Sequence, residues 1–226
     1  MFENIVSVHT PKVAGTSFLH QLKEVFGEQN VLLDYNDDPV YLHTIVNIDP
    51  NCYELDPIKS ISPHKVVHGH FQPKKYAHLS NAFRLTFLRH PIDNITSIYI
   101  FWMAHDRAFW NSPIFHYCKD RNLTLLQFAA LPKLRYLYTR TYFADYDMSQ
   151  FDFIGDYAHY DSELMRLSKQ ICVPFKTNIR LNKTIDHMAD GGRDDATRLS
   201  ISDAEYGKLA EILKDDIAFY QTYKGR

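Results

Sequence analysis

The chain opens on Ile5-Val6-Ser7-Val8, a short β-branched apolar run, and passes through His9-Thr10-Pro11-Lys12-Val13-Ala14-Gly15 directly into Thr16-Ser17-Phe18. Beyond Gly15 the apolar residues Phe18, Leu19, Leu22, Val25 and Phe26 recur at three- and four-residue spacing as far as Gly27. The first run predicts a buried strand and the second an amphipathic helix, joined by a tight loop. Later segments repeat the alternation. Lys65–His68 running into Gly69, Arg84–Leu88 stopped by Pro91, and Phe151–Ile154 ending at Gly155 read as further buried strands. Helices are expected over 92–105, 162–171 and 202–223, the last opened by Ser202 with Glu205 three residues on, a capping-box pattern. Strands alternating with helices predict an α/β fold with a mostly parallel sheet flanked by helices. Ligands in such sheets sit at the carboxyl ends of the strands. Residues 28–64 are weakly patterned, with 31–33 and 42–48 as possible short elements.

No internal repeat or low-complexity linker interrupts the 226 residues. A chain of this size buries roughly 70% of its unfolded surface, enough for a single domain over 1–226. Lys plus Arg number 25 against 27 Asp plus Glu, a net charge of −2. That balance argues against a nucleic-acid binder, whose footprint is basic, and leaves room for a local anion pocket. No run reaches the roughly 18 apolar residues of a membrane span. Met1–Val8 lacks the basic-then-apolar order of a signal peptide, so the expected compartment is the cytoplasm. Cys52, Cys118 and Cys172 are odd in number and widely spaced, which disfavours a disulfide framework or a zinc ribbon. The Asn-x-Ser/Thr sequons at Asn94, Asn122 and Asn182 read as chance matches on that basis.

Three constellations fall at expected strand ends. In the first loop, Lys12 and Gly15 precede a helix start whose backbone N–H groups and positive end converge, an arrangement that receives anions. Thr16 and Ser17 add hydroxyls, and Gly15 permits close backbone approach. An ordinary strand–turn–helix with a surface lysine fits the same residues. The nucleotide loop G-x-x-x-x-G-K-[ST] is absent, and the strand 84–88 ends in Arg89 rather than an acid. In the second constellation Arg89, a planar fork suited to phosphate, stands eight residues before Ser97. Alone, that pair also fits a surface ion pair and a helix serine. In the third, His68-Gly69-His70 closes a strand, and imidazoles titrate near neutrality as general bases do. His-x-His is also a metal-ligand spacing, for which His9, His64 or His78 would be third ligands.

Together, His9-Thr10-Pro11-Lys12-Val13-Ala14-Gly15-Thr16-Ser17-Phe18, His68-Gly69-His70-Phe71 and Arg89-His90-Pro91 with Ser97 and Tyr99 resemble the Golgi-type carbohydrate sulfotransferases. Heparan sulfate 2-O-sulfotransferase and its relatives are the nearest group. The resemblance implies a P-loop-NTPase-like three-layer fold and transfer of a sulfuryl group from 3′-phosphoadenosine 5′-phosphosulfate (PAPS) to an acceptor hydroxyl. The acceptor so implied is a carbohydrate, the product 3′,5′-adenosine bisphosphate (PAP), and no metal is required. By the same resemblance Lys12, Ala14, Gly15, Thr16 and Ser17 hold the 5′-phosphosulfate, and Arg89 and Ser97 hold the 3′-phosphate. His70 is the base with His68 as second choice, and Lys12 steadies the leaving phosphate. Asn182-Lys183-Thr184 is similar to an element that closes over the nucleotide, with Lys183, Arg193 and Arg198 as phosphate contacts. Asp215–Tyr220 resembles the family's terminal helix.

Departures from the family pattern are Val13 for Thr, His90 for Asp and Asn94 for Arg; the last either weakens the 3′-phosphate site or leaves its role to another basic residue. Lys74-Lys75 and the tyrosines of 134–146 are candidate acceptor contacts, with solvated charge and core packing as the alternatives. The missing anchor fits a bacterial cytoplasmic enzyme. Two other functions fit the first loop: a P-loop-like nucleotide kinase, and a non-catalytic nucleotide- or glycan-binding relative. Oligomeric state is not legible in the chain.

Overall fold

The computed structural model describes residues 2–177 and 201–226. Five strands, β1 (Asn4–Val8), β2 (Val31–Asp34), β3 (Val66–Gly69), β4 (Ala82–Leu88) and β5 (Phe153–Asp156), form one sheet in the order β2-β3-β1-β4-β5. Every pairing is parallel. Side chains alternate between the faces of a strand, and here both faces are covered. Ile5, Val66, Leu85 and Phe153 enter one apolar core, while Val6, Val67, Leu88 and Ile154 enter the other. That double burial is why these strands read as unbroken apolar runs.

Helix α1 (Gly15–Phe26) and helix α8 (Tyr160–Ile171) cover the first face with Phe18, Leu22, Leu164 and Leu167. On the second face α4 (Pro91–Ala104) contributes Ile92, Ile95, Ile98 and Trp102. The same side carries α5 (Pro113–Asp120), α6 (Leu125–Ala129) and α7 (Pro132–Arg135). The result is the helix–sheet–helix sandwich expected from the alternation, with a loop joining the central strand β1 to α1.

Three local expectations change. The last strand lies at 153–156, two residues later than its apolar run suggested, because Phe151 packs on the second core outside the sheet. The stretch 42–48 gives only the single turn α2 (Ile45–Ile48), followed by α3 (Cys52–Leu55). The terminal helix breaks at Leu213 (φ −99°, ψ 13°) into α9 (Asp203–Ile212) and α10 (Lys214–Tyr223). The break has a packing cause: α9 rests on α6, whereas α10 rests on the turn of π-helix Leu137–Tyr142. The Ser202–Glu205 capping box forms as expected.

Candidate active site

The sheet register brings the ends of β1, β3 and β4 to one edge. Val8 lies beside both Gly69 and Thr86, and the His9 N–H donates to the Gly69 carbonyl (2.8 Å). A cavity of about 510 Å³ opens there. His9, Lys12, Ala14, Gly15, Thr16, Ser17, His70, Arg89 and Ser97 all border it. The described members of all three constellations thus meet, with the exception of His68. Lys183, Arg193 and Arg198 lie outside the described residues.

The first loop takes an unusual backbone path. Lys12 (φ 61°) and Ala14 (φ 55°) both adopt left-handed conformations that non-glycine residues rarely enter. Such strain collects at ligand clamps and persists only where the surroundings enforce it. Two tethers from the β4–α4 side enforce it here. Arg89 Nη1 donates to the Lys12 carbonyl (3.1 Å), and Asn94 Nδ2 donates to the Pro11 carbonyl (2.8 Å). Asn94 is fully buried and does not border the cavity. Asn94 therefore holds the loop that carries Lys12. Helical bonding in α1 begins with Phe18 N–H to the Ala14 carbonyl (2.9 Å), so Gly15–Ser17 form the first turn of the helix.

Lys12 Nζ lies 4.4 Å from the centre of the Phe101 ring. Burial, and then the neighbouring Arg89 charge, lower its pKa to about 8. The Arg89 guanidinium sits 5.0 Å from the centre of the Tyr157 ring. Its backbone is clamped by Tyr138, whose hydroxyl donates to the Arg89 carbonyl (2.8 Å) and accepts from the Arg89 N–H (3.1 Å). Two cations thus face one cavity from adjacent strand ends, an arrangement able to hold a polyanion.

The two histidines of the third constellation separate. His68 is buried within β3, pairs through Nδ1 with Ser7 Oγ (2.8 Å), and is held neutral because burial and then His70 lower its pKa to about 3. It does not border the cavity. His70 does, and its Nδ1 lies 2.8 Å from Asp38 Oδ2. A carboxylate only accepts hydrogen bonds, so Nδ1 carries a proton, and Nε2 is the acceptor whenever the ring is neutral. Asp38 Oδ1 accepts from the Tyr142 hydroxyl (2.9 Å) and the Val40 N–H (2.9 Å). Burial, and then the Asp38 charge, raise the Tyr142 pKa well above a phenol's usual value, which keeps it a donor.

Asp38 sits in the patternless stretch, and the sequence carried no signal for it. Its loop is anchored by a buried polar network. Lys75 Nζ pairs with Asp34 (2.7 Å) and Asp37 (3.7 Å), Tyr76 donates to Asp34 (2.9 Å), and Tyr53 donates to Asp37. Lys74 donates to the Pro50 carbonyl (2.8 Å). Neither lysine borders the cavity, so the candidate acceptor contact at Lys74-Lys75 is structural instead. The tyrosines of 134–146 are likewise absent from the cavity wall: Tyr138 and Tyr142 are core residues, and only Leu134 of that segment reaches it.

His9, which opens the first loop, is the centrepiece of the imidazole group. Its ring stacks on His68 (centroids 5.3 Å, 14°) and leans on His70 (4.8 Å). A β-carbon at Gly15 would fall on the His9 imidazole, so the glycine makes room for this ring at the helix start. Burial, and then His70, His68 and Lys12, push the His9 pKa well below 6.5, which leaves it neutral. Among the described residues no group of three or more His, Cys, Asp or Glu is placed to hold a metal ion.

Fold and site together define an α/β protein whose cavity sets two cations, Lys12 and Arg89, beside a carboxylate-bound histidine. No family model matches this chain, and no curated protein matches it. Two solved structures are similar in shape. One is mouse sulfotransferase SULT7A1 complexed with PAP (12% identity, TM-score 0.48, covering 98% of this chain and 87% of that one). The other is a sulfotransferase from Alicyclobacillus acidocaldarius (13% identity, TM-score 0.41, covering 96% of each chain). Both scores lie under 0.5.

Proposed function

We propose that this chain is a sulfotransferase that moves a sulfuryl group from PAPS to an acceptor hydroxyl. The observation that carries the reading is the meeting of Lys12, Arg89 and His70 on one cavity, with His70 bound through Nδ1 to Asp38. The motif resemblance supplies the donor's identity. In the proposed step the acceptor oxygen attacks sulfur and its proton passes to His70 Nε2. The bond from sulfur to the 5′-phosphate oxygen breaks, and its electron pair leaves on that oxygen. Lys12 and the first-turn amides of α1 face the charge that develops there; preorganised donors of this kind commonly carry the largest catalytic effect. Arg89 and Ser97 hold the 3′-phosphate and so orient the donor. Asp38 is the acidic side chain on the described wall, and it is engaged by His70 and Tyr142.

The test is calorimetric titration with PAP and with ATP, both without magnesium. PAP is expected to bind at micromolar concentration and more tightly than ATP, and Arg89→Ala to weaken it at least about tenfold, the scale of a lost charge-assisted contact. Absence of PAP binding, or a preference for ATP with magnesium, overturns the reading in favour of a kinase or a non-catalytic module.

A further inference from the structure

The wall of the cavity is divided by chemistry. The cations Lys12 and Arg89, with Thr16, Ser17 and Ser97, come from the starts of α1 and α4. The region flanking Lys12 and His70 is of another kind. On one side the loop that delivers Asp38 contributes Tyr35, Val40 and Tyr41, and the Tyr35 ring meets His70 edge-on at 4.9 Å. On the other side Phe101, beneath the Lys12 ammonium, continues into Trp102 and Trp110, with Phe101 and Trp110 centroids 5.6 Å apart. Burial raises the Tyr35 phenol to about 12, and the Tyr41 phenol is raised further, so both stay uncharged. Among the described residues no Asn, Gln, Glu or further Lys or Arg borders the cavity.

Recognition of a sugar ring needs several hydrogen-bonding side chains aimed at its hydroxyls, and a sulfated glycan needs cations as well. A wall that leaves substrate hydroxyls unpaired is strongly unfavourable. Tyrosine, phenylalanine and tryptophan rings beside the His70 imidazole instead suit a flat apolar ring carrying a single hydroxyl.

We propose that the acceptor is an aromatic or comparably apolar alcohol, bound between the Tyr35–Tyr41 loop and the Phe101–Trp110 wall with its hydroxyl at His70, rather than a carbohydrate. The inference rests on the sulfotransferase reading and names the substrate class of the same site.

The experiment uses 2-naphthol and a desulfated heparosan oligosaccharide as probes, titrated by calorimetry into the full chain saturated with PAP. Naphthol is expected to bind at micromolar concentration, and the oligosaccharide to give no heat at millimolar concentration. Trp110→Ala is expected to weaken naphthol at least tenfold while the PAP affinity stays unchanged, which also shows that the variant is folded. A PAP complex that ignores naphthol, one that binds the oligosaccharide more tightly, or a naphthol affinity indifferent to Trp110→Ala overturns the acceptor assignment and leaves the donor reading standing. Failure of PAP itself to bind overturns the sulfotransferase reading and the acceptor assignment with it.

Discussion

Lys12 holds its charge against both burial and Arg89, with its pKa lowered to about 8. An anion that binds beside it favours the protonated form. Below pH 8 the empty pocket already carries that proton, and above it binding must recruit one. The PAP association constant is therefore expected to fall as pH rises through 8, toward tenfold per unit above it. Lys12→Ala removes this slope as well as lowering affinity. Titrations at pH 7, 8 and 9 on both proteins check it, and parallel profiles would assign the slope elsewhere.

At the same scale His70 and Asp38 divide one task, since the carboxylate fixes which imidazole nitrogen is free. His70→Ala is expected to cost at least about a hundredfold in turnover. Asp38→Asn is expected to cost a similar factor while PAP affinity is unchanged, because an amide also donates and no longer dictates the His70 tautomer. A His70→Ala protein with full transfer activity would remove His70 as the base. The His-Gly-His run was legible as a chemical signal. Which histidine faces the cavity was not, because strand alternation gives both the same side; the choice is made by His9 and by Asp38, 61 and 32 residues away in the chain.

Among the elements, α10 reaches the cavity through Tyr138 without bordering it. Asp216, buried in α10, accepts from the Tyr138 N–H (2.8 Å), the Thr139 N–H (3.0 Å) and the Thr139 hydroxyl (2.7 Å). It thereby caps the π-turn whose Tyr138 clamps the Arg89 backbone. Burial raises the Asp216 pKa to about 6, partly offset by those hydrogen bonds. The folded state then holds this proton more tightly than the unfolded chain. The associated stability is fully present below about pH 4 and lost as pH rises through 6, a swing of about 3 kcal/mol. Denaturant unfolding of wild type and Asp216→Asn between pH 4 and 7 is expected to show the wild type losing about that much relative to the variant. Superimposable pH profiles would contradict it. Elements of this length were largely legible: α1, α4 and α8 announce themselves by apolar spacing, and the capping box at Ser202 marks a true helix start. The break at Leu213 was not, since each half of that segment is a sound helix and only its two different neighbours bend it.

For the molecule as a whole, the α/β class, the central strands and the three constellations were legible in the chain alone. The reason is that backbone pairing and two-sided burial are written locally, as short β-branched runs closed by Gly or Pro. The chain also carries the charges available to the site, a lysine before a helix start and an arginine after a strand. Tertiary structure decided the remainder. Residues 28–64 owe their path to Lys75, Tyr53 and Tyr76 meeting Asp34 and Asp37, a polar network with no periodicity. That network delivers Asp38 to His70. Asn94, read as a missing phosphate contact, became the tether of the first loop because α4 starts beneath Pro11. The aromatic wall gathers Tyr35, Tyr41, Phe101 and Trp110 from two segments that nothing in their local sequence relates. Hydrogen bonds and ring contacts between distant segments depend on where the sheet order places them, and the order β2-β3-β1-β4-β5 is a property of the packed chain rather than of any window within it.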